Sequence, residues 1–273
     1  MEEDINQEVL DSINQPVIDL LQRNIIPWRI TPKPYMGFAK NYLENKEYDG
    51  INLVLLNLVY RHYYPWYLTT EQIQILGGEI KKDSTPILSY PSQSDNFQLQ
   101  QLFNITSVNN IQFDVPSTFP NNLIGEDCDF NQSLNQLNQN SGFQILKDYT
   151  EGSAWELGDA IDPPFRDWYD DYTADVYHNL YTKIIHWTGH EDRLARDAIV
   201  QKFNSKSSAF SQEHLVGEIG TAYLCMMVEL DRNKLIDTPL DYNYEWSKIL
   251  QQDSSLLFNA SKQAFEAIRY IFH

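Results

Sequence analysis

Cysteine is almost missing from this chain: Cys128 and Cys225 are the only two among 273 residues. A disulfide framework is thereby excluded as the organising device, and Cys225 sits in an apolar run that reads as core. Long apolar runs are missing too. The longest spans residues 222–228, far below the ~20 residues needed to cross a bilayer. The chain starts Met-Glu-Glu-Asp-Ile-Asn, without the basic and apolar segments of a secretory signal. These absences lead us to expect a protein of the cytoplasm with no membrane partner. Basic residues are scarce as well, 20 against 38 acidic, for a net charge of -18. Residues 91–180 carry 14 acids and 2 bases, whereas residues 19–90 carry 8 bases and 7 acids. The acidic middle reads either as a solubilising surface or as one that repels or imitates nucleic acid.

Apolar content of 42% and aromatic content of 13% mark a chain that buries a core. Residues 8–21 have helical spacing, with Pro16 as an interruption. Residues 53–60 form an apolar helix. Thr69-Thr70-Glu71-Gln72 has the acceptor side chains of a helix start, and Gly77-Gly78 ends that helix. Residues 79–90 alternate as a hairpin with its turn at Asp83-Ser84. Residues 126–142 are rich in Asn and Gln and read as a loop or linker. Strands are expected within 143–157, and helices over 172–187, 211–230 and 254–272. The sum is an α+β fold: an amino-terminal α/β domain over 1–125, the 126–142 linker, and a mostly helical domain over 143–273.

One stretch carries the frame of zinc chemistry without its working parts. A zinc-peptidase helix of the HExxH kind places two His one turn apart, so both grip one ion, and a Glu after the first activates the bound water. In Thr182-Lys183-Ile184-Ile185-His186 the second His is kept. Thr182 stands at the first, and Lys183 at the general base. Threonine is a poor zinc ligand, and a lysine cannot take a proton from water at neutral pH. His190, after Gly189, is expected to cap the helix end, where a partly positive ring meets free carbonyls. His178 is two turns from His186, about 12 Å along an ideal helix, too far to share one ion with it. Glu218 is expected in an ion pair with Arg193 or Lys183.

In the amino-terminal part, Trp28, Arg29, Lys33, Tyr35, Lys40, Tyr42, Arg61, Lys81 and Lys82 mix aromatic and basic types. Single-stranded nucleic acid is held by such mixtures, through stacking and phosphate contacts. The alternative is that the aromatics are core and the lysines solvated.

Two regions together resemble the ArdC-type antirestriction proteins carried by mobile genetic elements such as phages or plasmids. The first has Pro27-Trp28-Arg29, Asn41, Tyr48-x-Gly50-Ile51-Asn52, Leu68-Thr69, Gly77-Gly78, Lys81-Lys82 and Thr85-Pro86. The second has Asp159-x-Ile161, Pro163-Pro164, His186-Trp187-Thr188-Gly189-His190, Arg193-Leu194, Arg196, then Glu213-His214-Leu215-Val216-Gly217-Glu218 and Gly220. The resemblance implies a single-stranded-DNA-binding domain followed by a zincin-like metallopeptidase domain. It adds Asn41 and Asn52 to the expected nucleic-acid contacts. The departures are Thr182 and Lys183, and His214 where the family pattern has the second of two adjacent glutamates. His186 and His214, with Glu213 or Glu218, leave at most a weak zinc site, so no cofactor is expected.

We therefore expect a non-catalytic antirestriction or anti-defence protein, a pseudo-metallopeptidase, that binds single-stranded DNA or a host restriction or defence protein. The competing readings are an active metallopeptidase with rearranged ligands and an acidic DNA mimic.

Overall fold

The computed structural model describes residues 7–30, 37–90, 99–115, 139, 142, 144–145, 160–161, 174–200, 208–227 and 240–272. The 126–142 linker, most of the acidic 91–180 region, Cys128, Lys33 and Tyr35 fall outside them, save isolated positions. The fold is α+β, in two compact units. One comprises residues 1–120 with 239–258, the other 121–238 with 259–273.

The first unit opens with helix α1 (Gln7–Gln22). Leu10, Ile13, Val17, Ile18 and Leu21 are buried along one stripe, the spacing that a 3.6-residue turn brings to one face. Pro16 does not interrupt it, contrary to expectation. The missing N–H removes one bond, to the carbonyl of Ser12, and the buried stripe on either side outweighs that loss. Asn14 on the same face donates to the carbonyl of Ser254 at 2.8 Å. Helix α2 (Gly50–Leu53) runs straight into wider π turns over Val54–Tyr60, so the expected apolar helix is present with altered winding.

The sheet order is β1 (Lys40–Asn41), β2 (Trp66–Thr69), β5 (Gln100–Asn104), β4 (Ile87–Ser89). The first pair is parallel, with Lys40 opposite Trp66, and the other two are antiparallel. Helix α3 (Thr70–Ile75) begins as expected. Thr69 accepts from the Gln72 N–H while the Gln72 side chain accepts from the Thr69 N–H, a reciprocal cap. It ends on Gly77 at φ +73°, with Gly78 N–H on Ile73 O and Gly77 N–H on Gln74 O, as in a Schellman cap. A Cβ on Gly78 would lie 2.5 Å from Ile111 Cδ1, so the second glycine is there for packing.

The expected 79–90 hairpin is not formed. β3 (Glu79–Ile80) pairs with β6 (Val108–Asn109), and Ile87–Ser89 pairs with Gln100–Asn104. Ser84 N–H does turn back onto Lys81 O. The two strands nevertheless diverge into separate sheets, because each finds its partner in the 100–109 segment. Leu68, Ile73, Phe103 and Val108 form the core beneath.

In the second unit, α4 (Ala174–Trp187), α5 (Asp197–Val200) and α6 (Ser208–Met227) surround the candidate site. Residues 215–226 of α6 are buried on every face, as for a helix at the centre of its unit. Cys225 is among them. A short parallel pair, β7 (Gln144–Ile145) and β8 (Ala160–Ile161), completes the described strands. Helix α7 (Leu240–Gln252) belongs to the first unit, and α8 (Ser255–Phe272) follows it. Helix α7 packs against α1, where Trp246 meets Trp28 edge to face at 6.1 Å. No helix among the described residues is long and apolar enough to cross a membrane.

Candidate functional site

The last turn of α4 presents its polar side chains to the middle of α6. Thr182 Oγ1 bonds back to His178 O and lies 2.9 Å from Thr221 Oγ1. That hydroxyl pairing occupies the position where a first His ligand would project. One turn on, His186 Nδ1 is 2.7 Å from Glu213 Oε1. The other ring nitrogen, Nε2, faces the α6 backbone: a Cβ on Gly217 would lie 2.7 Å from it. The small residue therefore brings the two helices close enough for His186 to reach Glu213.

Glu213 is 6% exposed and Arg196 4%. Arg196 meets both carboxylate oxygens, Nε to Oε2 and Nη2 to Oε1, each at 2.8 Å. It also donates to Thr188 Oγ1 and Ile185 O, again at 2.8 Å. A planar guanidinium suits this fork. Burial by itself raises the Glu213 pKa, but the hydrogen bonds from His186 and Arg196, with their charges, prevail and hold it below the usual carboxylate range. Gly189 makes room, since a Cβ there would lie 2.8 Å from Arg196 Nη2.

The His-Trp-Thr-Gly-His stretch thus acquires a structural meaning. His186 and Thr188 hold the Glu213–Arg196 pair, Gly189 admits the guanidinium, and Trp187 carries the Arg193 guanidinium over its ring at 3.9 Å. His190 is not the helix cap. Its Nδ1 accepts from the Asp192 N–H at 3.2 Å, while Arg193 Nε donates to Trp187 O and Arg196 to Ile185 O. Both arginines cap with charge that histidine lacks when neutral. Glu218 is buried, and its Oε1 lies 3.9 Å from His214 Nε2. His178 is buried, as a core histidine would be.

Among the described residues, no three His, Cys, Asp or Glu side chains form a group able to hold an ion. The Glu213 oxygens and the Thr182 hydroxyl already have partners.

Gly217→Ala tests the close helix crossing. In a helix interior alanine is normally favoured over glycine by about 1 kcal/mol. Here the added methyl meets a ring held by Glu213, and overpacking of that kind costs about 1–3 kcal/mol. We expect a net loss of stability in denaturant titration and a weakened His186–Glu213 bond, visible as altered His186 ring chemical shifts. A stabilised variant with unchanged shifts would refute the crossing.

The amino-terminal residues divide sharply. Trp28 is 0% exposed and offers no face to a base. Asn41 is buried, its amide donating to Gln72 Oε1 and its oxygen accepting from the Leu43 and Glu44 N–H groups. Asn52 is buried too and clasps the backbone of Tyr90 through both amide atoms. These three are structural, because inward packing and backbone pairing consume the groups a nucleotide would use. Tyr42 packs edge-on to Phe113, and its hydroxyl accepts from the Asp114 N–H. Arg29 and Arg61 are half-buried. Lys40 lies with Nζ 5.9 Å from the Trp66 ring centre. Lys81 and Lys82 are exposed, and Lys81 Nζ donates to Thr106 O at 2.6 Å. The sequence reading missed Tyr63, Tyr64 and Trp66, although Tyr60-Arg61-His62-Tyr63-Tyr64-Pro65-Trp66 is the densest aromatic run in the chain.

Comparison with known proteins agrees with this architecture. The family described as N-terminal domain of anti-restriction factor ArdC matches residues 3–101. The family described as Zincin-like metallopeptidase matches residues 132–263. Among solved structures, the antirestriction ArdC protein from the R388 plasmid is similar in its metal-free form, with 22% identity, 96% of each chain covered and TM-score 0.65. Its Mn(II)-bound form is similar at the same identity and coverage, with TM-score 0.70. At that identity the likeness speaks for the fold. Curated proteins gave no match.

Proposed function

The chain belongs to the ArdC type of antirestriction proteins, and from that premise we propose that it works by binding and not by hydrolysis. One observation carries this reading. The groups that would build a zincin centre are committed to one another, Thr182 to Thr221 and His186 to Glu213, and Lys183 stands at the general base. Metal-assisted hydrolysis needs both an ion that binds water and a base beside it. The zincin-like domain then serves as a scaffold.

Binding falls to the amino-terminal unit, with single-stranded DNA as its ligand through Lys40, Arg61, Lys81, Lys82 and the neighbouring rings. Affinity is weak to moderate, because a chain at -18 gains little long-range attraction for phosphate. A host restriction or defence protein is the other partner such a protein would meet in the cytoplasm.

Three measurements on the purified full chain test the reading: elemental analysis, a peptidase assay across divalent metals, and a single-stranded-DNA titration. We expect substoichiometric metal, no proteolysis, and thermal unfolding that is indifferent to a chelator. Stoichiometric zinc that disappears in His186→Ala, accompanied by proteolysis, would instead establish the rearranged metallopeptidase.

A further inference from the structure

We propose that single-stranded DNA lies across the face made by Arg61, Tyr63, Tyr64, Trp66 and Lys40, with its bases stacked on these rings. The inference rests on the reading that the amino-terminal unit binds single strands, and it names where and by what chemistry.

Tyr63 is 52% exposed, unusual for a ring with an apolar body. It is backed by others. Its ring meets Tyr64 edge-on at 5.0 Å and 89°, and Tyr64 lies at 6.3 Å and 34° from Trp66. Lys40, opposite Trp66 in the parallel pair, sets its ammonium 5.9 Å from that ring. Successive rings with a cation at the end match an unpaired strand, whose bases have free faces and whose phosphates lie at the edge. A duplex, with its bases already stacked, gains nothing from such a surface.

The backbone delivers these rings together. The π turns of Val54–Tyr60 end on Arg61 in the left-handed conformation, φ 48° and ψ 50°, with its N–H on Leu56 O. A non-glycine residue there is strained, a condition that recurs at functional sites. Pro65 is buried, and the strand that carries Trp66 begins after it.

Charge plays the smaller part. Glu47 is bridged to Lys40 through the backbone, and Asp19 faces the neighbouring Tyr60. Burial pushes the pKa of His62, next to Arg61, down, which weakens it as a phosphate contact. Lys40 and Arg61 are the two cations of this face argued to meet phosphate. Two phosphate contacts on a single strand give a log–log salt slope of about -1.4, or about sevenfold weaker binding from ~50 to ~200 mM salt. The patch offers ring faces more than hydrogen-bonding groups, so base identity should matter little.

The test is fluorescence anisotropy of the full chain with a labelled oligodeoxythymidylate and with a duplex of equal length, across salt. The single strand should bind better. Tyr63→Ala should weaken it at least ~5-fold, the lower end of stacking losses, while Tyr63→Phe, which keeps the ring, should bind as the unmodified chain does. Lys40→Gln should reduce the salt slope by about 0.7. If the full chain binds the single strand but Tyr63→Ala and Tyr64→Ala leave its affinity unchanged, this face is wrong and the strand lies elsewhere on the unit. Equal affinity for the duplex also overturns the stacking assignment. If neither nucleic acid binds, the single-strand reading itself falls, and this inference falls with it.

Discussion

Arg196→Ala is expected to destabilise the carboxy-terminal unit by about 3–5 kcal/mol, the usual cost of removing one partner from a buried ion pair. Arg196 is 4% exposed and binds both oxygens of Glu213 as well as Thr188 Oγ1 and Ile185 O. Its loss strands a carboxylate that is itself 6% exposed. His186 still reaches Glu213 but lacks a second donor group in the right place. The unfolding midpoint should drop by several degrees for each kcal/mol. A chelator should change neither the unmodified chain nor the variant, since no ion holds the helices together in this reading. Replacing both partners, as Arg196→Met with Glu213→Leu, should recover most of the loss, because the desolvation cost disappears with the charges.

The same pair sets a pH dependence. The Glu213 pKa is depressed in the folded state, so its contribution is fully present above the ordinary carboxylate range. It is lost as pH falls from that range through the depressed folded value. The unmodified unit should therefore lose stability in acid more steeply than the Met–Leu double variant. Denaturant titrations at several pH values decide this. An Arg196→Ala loss below about 1 kcal/mol, or equal acid slopes for the two chains, would show that the pair is not what binds α4 to α6.

Much of this arrangement was legible in the residues, and what was missed follows a pattern. The cap at Thr69 and Gln72 and the stop at Gly77-Gly78 are local, and local chemistry decided them. Alternation over 79–90 signalled strands correctly but not their partners. Ile80 chose Val108 and Ile87 chose Leu102, a decision made by distant segments. Helix α7 escaped notice because its described buried face comprises little more than Trp246, Ser247 and Leu250. The His186–His190 motif stood out as a landmark, and the departures at Thr182 and Lys183 stood out within it. What could not be read was that Glu213, 17 residues beyond Arg196, closes the cluster. Pairing across helices leaves no periodicity in the chain. At Trp28 the neighbouring bases suggested a nucleic-acid contact, whereas burial against Trp246 decides its role.

Trp28→Ala should accordingly act on stability first, with a loss of about 3–5 kcal/mol, as for other fully buried large aromatics. The side chain is 0% exposed, so its removal leaves a cavity where α1, the Pro27–Arg29 turn and the π turns of Val54–Tyr60 converge. It also removes the edge-to-face contact with Trp246 at 6.1 Å, an arrangement that contributes about 0.5–1.5 kcal/mol beyond area burial. Trp28→Phe fills more of the space and should cost less than the alanine. Unfolding should be cooperative across the first unit, because α7 returns from beyond residue 239 to pack on α1. Any loss of single-strand binding in Trp28→Ala should then track the unfolded fraction, and should disappear under conditions where the variant is folded. Denaturant titration and anisotropy on the same samples separate the two effects. A Trp28→Ala chain within about 1 kcal/mol of the unmodified one, yet selectively weak for single-stranded DNA, would return this indole to the binding surface and overturn its assignment to the core.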